Sequence, residues 1–219
     1  MCGRFYLTAT PAEIRKQFKI QTAPPLTPHY NIAPTQASPI VVADGKGRAL
    51  HLARWGLVPS WSRDLSLGTS MVNAPADALE GKAAFSKLFQ SQRCLVPANG
   101  YYEWRSHGTR KQPYKIALRN GALIAFGGLW ERWTPESGEP VETFTIITTA
   151  ASKLVSEVHD RMPLIIAPAD YQLWLTASPA TAKKLLLPYA SGLTITPISE
   201  RVNSIQNDDV ELLLPSSIR

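Results

Sequence analysis

The chain has 219 residues, long enough for one large or two small domains, and a net charge of +6 from 23 basic and 17 acidic residues. Two cysteines, Cys2 and Cys94, are too few for a disulfide framework or a zinc site by themselves. The sequence has no apolar run of membrane-spanning length and no signal-peptide pattern. These totals predict a cytoplasmic protein without a membrane partner, and the basic charge favours a polyanion such as nucleic acid.

The first half of the chain predicts a capped helix and a β-hairpin. After a short strand over residues 3–7, the segment Thr10-Pro11-Ala12-Glu13 is a capping box with proline at the first helical position. It predicts a helix that ends near Phe18. Two apolar runs, 39–43 and 48–55, flank a glycine-containing turn and predict a hairpin.

The second half predicts a succession of strands. A helix over residues 77–90, which Gly81 weakens, comes before them. The predicted strands lie at 93–97, 101–105, 114–118, 122–129, 143–149 and 194–198. Short helices are predicted at 152–158, 168–175 and 178–187. Because turns connect the strands more often than crossover helices do, the pattern favours an α+β fold with twisted, largely antiparallel sheets.

The N-terminal sequence Met1-Cys2-Gly3-Arg4 carries the first chemical signal. Removal of Met1 would leave a cysteine whose α-amine and thiol have ordinary pKa values of about 7.7–8.0 and about 8.5. Such an amine condenses with an aldehyde, after which the adjacent thiol closes a thiazolidine ring, and the thiol also attacks acyl carbons. A small buried core cysteine fits the same tetrapeptide about equally well.

Two further side chains suit proton transfer. Glu103 lies between the aromatic residues Tyr102 and Trp104, where loss of solvation raises a carboxyl pKa toward the range of a general acid. His159 follows a predicted helix end in a polar loop, a position that suits an acid, a base or a hydrogen-bond donor. Taken one at a time, a strand glutamate paired with Arg105 and a capping or surface histidine fit these positions better.

Other residues suit nucleic-acid binding. Asn73 and Asn31 suit hydrogen bonds to a substrate oxygen, although either fits an ordinary turn. Tryptophans stack on bases and arginines lie near phosphates, but tryptophans are more often core residues. The residues considered for these contacts are Arg4, Arg54, Trp55, Trp61 and Trp104. No histidine pair with metal-ligand spacing, carboxylate cluster or glycine-rich phosphate loop is present, so the sequence predicts no metal and no cofactor.

Taken together, these motifs resemble the SOS-response-associated peptidase (SRAP) family, whose members shield abasic sites in DNA. The matching segments run in family order along nearly the whole chain. They are Met1-Cys2-Gly3-Arg4, Tyr30-Asn31-Ile32-Ala33-Pro34, Trp55-Gly56-Leu57-Val58-Pro59-Ser60-Trp61, Asn73-Ala74, Tyr102-Glu103-Trp104, His159-Asp160-Arg161-Met162-Pro163, Val202-Asn203 and Asn207-Asp208.

The resemblance implies a single α+β domain over residues 1–219 with a positively charged cleft, and the loss of Met1 by self-cleavage. It implies that Cys2 is the nucleophile that forms a thiazolidine with abasic sites in single-stranded DNA, with weak strand cleavage as a side reaction. Glu103 would transfer protons, His159 would assist and orient the sugar, and Asn73 would hydrogen-bond near the Cys2 terminus. The residues expected to contact DNA are Arg4, Asn31, Arg54, Trp55, Trp61 and Arg161. A monomer, associated with the nucleoid when bound to DNA, is expected.

One segment departs from the family pattern, in which Asn-Ala is followed by arginine and, two residues later, glutamate. This chain has Asn73-Ala74-Pro75-Ala76-Asp77 instead. Proline removes a cation expected near the DNA backbone and also a backbone donor. We expect this departure to lower DNA affinity more than it affects the covalent chemistry.

Two other classes of protein fit the sequence. An N-terminal-nucleophile amidohydrolase also begins with Met-Cys-Gly, and would need a four-layer sandwich and an amide substrate. A non-catalytic single-strand-binding module would use Cys2 only structurally. Its DNA binding would be reversible and indifferent to the loss of a base.

Overall fold

The computed structural model describes residues 2–45, 47–136 and 138–216, without the side chain of His107. Met1, whose loss the sequence predicts, lies outside the described residues. The strands are β1 (Phe5–Leu7), β2 (His29–Ile32), β3 (Ala37–Ala43), β4 (Arg48–Trp55), β5 (Asn73–Pro75), β6 (Arg93–Ala98), β7 (Gly100–His107), β8 (Arg110–Leu118), β9 (Ile124–Trp133), β10 (Val141–Ala150), β11 (Arg161–Pro163) and β12 (Leu193–Pro197). The α-helices are α1 (Pro11–Phe18), α2 (Ala83–Ser91), α3 (Tyr171–Thr176) and α4 (Pro179–Lys183).

The strands form two sheets. One has the order β12-β8-β7-β1-β2, and every pairing in it is antiparallel. In the other, β9 pairs with β10 as well as with β6, so β10, β4, β3, β6 and β9 form a closed ring. Parallel pairing is confined to β10, which runs parallel to β4 and to β5. The predicted α+β class with largely antiparallel sheets is therefore confirmed.

The capping box predicted at the start of α1 is present. The Thr10 side chain accepts a hydrogen bond from the Glu13 backbone N–H at 3.3 Å, and the Glu13 carboxylate accepts one from the Thr10 N–H at 2.7 Å. Pro11 occupies the first turn, and the helix ends at Phe18 as predicted. Ile14 and Phe18 bury the apolar side of this helix against the core, which fixes its position on the ring.

Other elements differ from the prediction in length. The helix expected from residue 77 begins only at Ala83, because residues 76–78 form a 3-10 turn and Gly81 follows it. The helix expected over 152–158 is reduced to a 3-10 turn at Val155–Glu157. The sequence did not predict β5 and β11, which have three residues each. Both exist because they pair with the long strand β10, a tertiary contact that no local pattern shows.

An aromatic cluster joins the two sheets. Phe5 of β1 packs edge-on against Trp55 at 5.1 Å and against Phe126 at 5.9 Å between ring centroids. Tyr101 of β7 meets Phe126 edge-on at 5.9 Å, and Trp55 stacks on Phe144 at 6.3 Å. The cluster holds β1 and β7 firmly against the ring, so the chain that leads into β1 starts from a fixed place.

The prediction that Trp55 stacks on DNA bases is wrong. Its side chain is fully buried, and its indole N–H donates to the Val72 carbonyl at 2.9 Å. A base cannot reach the face of a ring that other core residues already cover. Trp55 is instead a core residue, the alternative that the sequence left open.

Neither a membrane span nor an amidohydrolase architecture is visible. Within residues 2–45, 47–136 and 138–216, no helix has the length and apolar content that crossing a membrane requires. The longest described α-helix, Ala83–Ser91, has nine residues. Helices of this size do not form the two outer layers of a four-layer sandwich.

Two glycines make a close backbone crossing beside the loop that follows β4. Gly56 has a φ of +121°, and a Cβ atom there would lie 2.5 Å from the Gly68 carbonyl oxygen. A Cβ atom on Gly68 would lie 2.5 Å from the Gly56 carbonyl oxygen. The loop that contains Trp61 begins at this crossing. Only glycine fits at position 56, because the residue there needs a positive φ and leaves no room for a Cβ atom.

We predict that Gly56→Ala lowers the free energy of unfolding by about 2 kcal/mol or more, because it adds backbone strain and a clash. Gly81→Ala is the matched control, since no described atom lies within 4 Å of the added Cβ. That change should leave stability unaltered or raise it by up to about 1 kcal/mol. Urea unfolding of the two variants and the wild type measures the difference, and equal midpoints would contradict the prediction.

Candidate active site

The N-terminal residues are placed by the pairing of β1 with β7. Phe5 lies opposite Tyr101, and the Tyr102 backbone N–H donates to the Arg4 carbonyl at 3.0 Å. Because the two strands are antiparallel, the chain before Phe5 runs beside the residues that follow Tyr102. Cys2 is thereby brought to Glu103, although 101 positions separate them in the sequence.

Cys2 is fully buried and is held from the other sheet by Asn73. The Asn73 side-chain amide donates to the Cys2 carbonyl at 2.8 Å. Parallel pairing of β5 with β10, with Asn73 opposite Ile146, sets the position of this amide. The Asn73 Oδ1 atom is buried and accepts no hydrogen bond from the part of the chain that the structure describes. One side of the amide thus orients Cys2, and the other remains available to a ligand.

Glu103 is a buried carboxyl, 2% exposed, next to Cys2. Burial raises its pKa above the ordinary value of 4.5, and the charge of His159 works in the opposite direction. Burial also raises the pKa of the Cys2 thiol far above its ordinary value, and the charge of Glu103 raises it further. Cys2, Glu103 and His159 therefore form one electrostatic cluster in which the thiol rests in its neutral form.

The Nδ1 atom of His159 has two alternative partners. It lies 3.0 Å from the Arg161 backbone N–H and 2.8 Å from the Asp160 carboxylate. Nδ1 accepts the first bond only without a proton and makes the second only with one, so the two exclude each other. In the neutral ring that accepts from Arg161, the proton is on Nε2, which then serves as a donor. The geometry suits a group that passes protons and orients a ligand.

Tyr101 is a member of this cluster that the sequence analysis did not identify. It is fully buried, and its hydroxyl has no hydrogen-bond partner among the described residues. Burial raises its pKa well above the ordinary value of 10.0, and the charges of Cys2 and Glu103 raise it further. The available signal was its position two residues before Glu103, because alternate residues of a strand share one face.

Comparisons with known proteins identify a family. The family model for the SOS response associated peptidase (SRAP) matches residues 1–205. The chain belongs to this family. It is 40% identical to the abasic site processing protein YoaM of Bacillus subtilis over 97% of both chains. It is 34% identical to the abasic site processing protein HMCES of Gallus gallus, covering 86% of this chain and 66% of that one.

A solved structure supports the fold of this SRAP protein. A Bacteroides thetaiotaomicron protein has a crystal structure with a TM-score of 0.89 and 25% sequence identity. The match covers 99% of this chain and 100% of the other. The two-sheet architecture, including the closed ring that carries β5, is thus one that a relative of low sequence identity also adopts.

Two residues predicted to contact DNA hold the C-terminal segment of this SRAP domain, and for Arg4 the DNA contact stays a prediction. The Arg4 guanidinium donates to the Asn31 side chain at 2.8 Å and to the Val202 carbonyl at 2.9 Å. Asn31 is 2% exposed, and its amide donates to the carbonyls of Ser204 at 3.0 Å and Asn207 at 2.7 Å. For the buried Asn31, this structural role replaces the predicted DNA contact. Arg4, which makes these hydrogen bonds, is half-buried and follows Cys2 by two positions in the chain.

Two other residues predicted to bind DNA differ in how accessible they are. Trp61 is 68% exposed in the loop after β4, so a base has access to its ring. The Arg54 guanidinium donates to the Thr35 carbonyl, and its buried Nε atom finds no acceptor in the described parts of the chain. Their roles toward DNA stay predictions.

Arg161 lies close to Pro75, the residue that departs from the expected family pattern. Pro75 pairs with Thr148, and the Arg161 guanidinium donates to the Thr148 carbonyl at 2.7 Å and to its hydroxyl at 3.2 Å. The same guanidinium reaches the Asp77 carboxylate at 3.4 Å. A cation from β11 therefore stands beside the proline of β5. The sequence analysis considered only the local run around Pro75 and missed this neighbour.

The site offers no evident place for a resident metal. Among the described residues, no group of three or more histidine, cysteine, aspartate and glutamate side chains is close enough together to hold an ion. The side chains that meet at Cys2 are a thiol, a carboxyl, an imidazole, an amide and a phenol. Their chemistry is that of nucleophilic attack and proton transfer.

The raised pKa of Glu103 predicts a stability effect with a definite sign. The folded protein binds this proton more tightly than the unfolded chain, so its contribution to stability is full below pH 4.5 and is lost as pH rises above that value. Glu103→Gln should therefore unfold at a higher temperature than the wild type at pH 7. The difference should shrink as the pH approaches 4. Thermal melts over this pH range test it, and a wild type that is the more stable protein at pH 7 would contradict it.

Proposed function

We propose that this protein captures abasic sites in single-stranded DNA by forming a covalent thiazolidine through Cys2. The observation that carries the proposal is that Asn73 and His159 reach the buried Cys2 and Glu103, so that residues from four distant segments form one cluster. Relatives at 34–40% identity are named abasic site processing proteins, which supports the same substrate. Met1 must be removed first, because an acylated amine does not form an imine.

The reaction begins at the α-amine of Cys2. Its lone pair attacks the aldehyde carbon of the ring-opened sugar, and the carbonyl oxygen takes up a proton. That proton comes from the amine nitrogen, and Glu103, whose pKa burial raises, donates a second proton to the same oxygen as it leaves as water, which gives a C=N iminium. The amide of Asn73 holds the Cys2 carbonyl, so the amine stays aimed at the aldehyde.

The second stage closes the ring. The buried thiol is neutral at rest, so it needs a base when it attacks. The Glu103 carboxylate left by the first stage takes the thiol proton, sulfur bonds to the iminium carbon, and the C=N electron pair returns to nitrogen. His159, with its Nε2 proton, orients the sugar oxygen and assists these transfers. Strand cleavage from the iminium by β-elimination is a slower side reaction.

The self-cleaving peptidase activity is part of the same proposal. The family description names a peptidase, and the bond to be cut joins Met1 to Cys2, directly beside the proton-transferring groups. Glu103 and His159 would serve this step as they serve ring closure. The protein needs no metal or cofactor for either reaction, since every step uses side chains of the cluster. We propose that it acts as a monomer and as a single domain over residues 1–219.

The DNA path runs past the exposed Trp61 and the cations Arg54 and Arg161. A net charge of +6 favours single strands through the release of counterions. Trp61 offers a stacking surface at 68% exposure. Arg161 supplies the positive charge that Pro75 does not, although the nearby Asp77 offsets part of it.

We predict that Cys2→Ala abolishes a heat-stable crosslink to abasic single-stranded DNA. Cys2→Ser should leave at most a less stable adduct, because the hydroxyl is the poorer nucleophile. Glu103→Gln should slow crosslinking by about 100-fold or more and leave noncovalent binding nearly unchanged, since the carboxyl acts on protons and not on phosphates. Denaturing gels after heating measure the crosslink, and intact mass shows the loss of Met1.

The same gels separate the competing functions. DNA with intact bases should give no crosslink, and blocking the aldehyde with an alkoxyamine should also prevent it. Reversible binding that is indifferent to base loss would indicate a simple single-strand-binding module. Hydrolysis of glutamine without crosslinking would indicate an amidohydrolase. Crosslinking by Cys2→Ala at the wild-type rate would remove Cys2 from the reaction.

A second prediction concerns the proline that replaces the family arginine. Pro75→Arg adds a cation on the proposed DNA path, so noncovalent binding should tighten and the logarithmic salt slope should steepen by roughly 0.7. Crosslinking at saturating DNA should change little, because the reacting groups are elsewhere. Binding of single-stranded DNA across a salt series measures the slope.

Pro140→Arg is a matched control for this measurement. Pro140 is exposed and precedes β10 by one residue, eight positions before Thr148, the partner of Pro75. At about 3.3 Å per strand residue, that places it roughly 26 Å from the Pro75 position. It should leave the salt slope unchanged. Parallel slopes for Pro75→Arg and the wild type would mean that Arg161 already compensates for the missing arginine.

A further inference from the structure

The buried hydroxyl of Tyr101 has a feature that packing does not explain. Its side chain is fully buried, yet the hydroxyl has no hydrogen-bond partner in residues 2–45, 47–136 and 138–216. Buried phenols normally find a partner, because burying an unpaired hydroxyl costs stability. Phenylalanine would fill the same space without that cost, so the oxygen atom itself requires an explanation.

The geometry directs this hydroxyl toward the reacting groups. Tyr101 and Glu103 are alternate residues of β7 and therefore share one face of the strand. Phe126 packs edge-on against the Tyr101 ring at 5.9 Å and limits its rotation. On the paired strand, the chain runs from Phe5, opposite Tyr101, back to Cys2, and the charges of Cys2 and Glu103 both act on the Tyr101 phenol, so the three side chains belong to one cluster.

The electrostatics of the cluster keep the Tyr101 phenol protonated, so it can serve as a hydrogen-bond donor. Burial raises its pKa well above 10.0, and the negative charges that develop on Cys2 and Glu103 raise it further. The phenol thus keeps its proton when the neighbouring thiol loses one. A neutral donor beside a developing negative charge is the arrangement that stabilises such a charge without a competing ionisation.

We propose that the Tyr101 hydroxyl is a catalytic hydrogen-bond donor to the Cys2 sulfur during ring closure. The inference rests on the proposed function and adds a residue to it. As the thiol proton moves to the Glu103 carboxylate, negative charge grows on sulfur and the Tyr101 O–H donates to it. Sulfur then bonds to the iminium carbon, the C=N electron pair returns to nitrogen, and Tyr101 retains its proton throughout.

The test compares Tyr101→Phe with Tyr102→Phe. Both changes remove one phenolic oxygen from neighbouring buried residues, but Tyr102 points to the opposite face, where its hydroxyl donates to the Tyr30 carbonyl at 2.7 Å. Two signals are followed on abasic single-stranded DNA. Borohydride reduction traps the iminium, which reports the amine step, and the heat-stable crosslink without borohydride reports ring closure.

Tyr101→Phe should leave iminium trapping at the wild-type rate and slow the heat-stable crosslink by about tenfold, the effect of one hydrogen bond to a charged group. Its melting temperature should be unchanged or higher, since an unpaired buried hydroxyl is removed. Tyr102→Phe should react normally at both steps and melt about 2–4 °C lower. The inference is wrong if Tyr101→Phe slows both steps equally, which indicates a structural role, or slows neither.

A third measurement keeps this inference separate from the proposed function. Alkylation of Cys2 by iodoacetamide needs no DNA, and its rate at a fixed pH follows the thiolate fraction. With Cys94 replaced by alanine, Tyr101→Phe should be alkylated about tenfold more slowly than its Tyr101 parent. If the wild type captures no abasic DNA but this difference is seen, the proposed function fails and the hydrogen bond stands. If DNA is captured and the rates are equal, the hydrogen bond fails alone.

Discussion

The antiparallel pairing of β1 with β7 is the constraint on which the site depends. It converts the first residues of the chain into neighbours of residues a hundred positions later, and it fixes which of them meet. Register matters because shifting a strand by one residue turns every side chain to the other face. A slip at Phe5 opposite Tyr101 would direct Glu103 away from Cys2. The aromatic cluster around Phe5 prevents such a slip, since its rings interlock with both sheets.

Burial raises the pKa values of the Cys2 thiol and the Glu103 carboxyl, and it also lowers the stability of the folded protein because polar groups are removed from water. A thiol and a carboxyl taken out of water together both resist ionisation. A carboxyl whose pKa is raised in this way suits the proton transfers that the proposed reaction requires. The N-terminal segment must therefore be held from outside the cluster. The Arg4 guanidinium does this on the solvent side through its hydrogen bonds to Asn31 and to the Val202 carbonyl. These hydrogen bonds tie the N-terminal segment to the C-terminal one.

Local signals in the sequence were reliable and long-range ones were not. The capping box at Thr10 and the hairpin of β3 and β4 are written in adjacent residues, and both are present. The cluster of Cys2 and Glu103 could be predicted only from the resemblance to a family whose motifs occur in the same order. No rule of residue spacing links two positions so far apart in the sequence. Tyr101 could not be predicted for the same reason. It belongs to the cluster only because its face of β7 is turned toward the residues that precede β1. Trp55 shows the opposite error, since an aromatic residue in a motif gives no information on whether its ring is covered.

Pro75 and Arg161 are neighbours because two short strands share one partner strand. β5 and β11 are both three-residue strands on β10, β5 parallel and β11 antiparallel, and their residues 75 and 163 face the same partner, Thr148. A side chain that starts two residues earlier on β11 reaches back across that partner, as Arg161 does. An arginine on either strand would therefore present its guanidinium to nearly the same region of the surface. Two strands that share one neighbour thus bring distant parts of the sequence to one place on the surface.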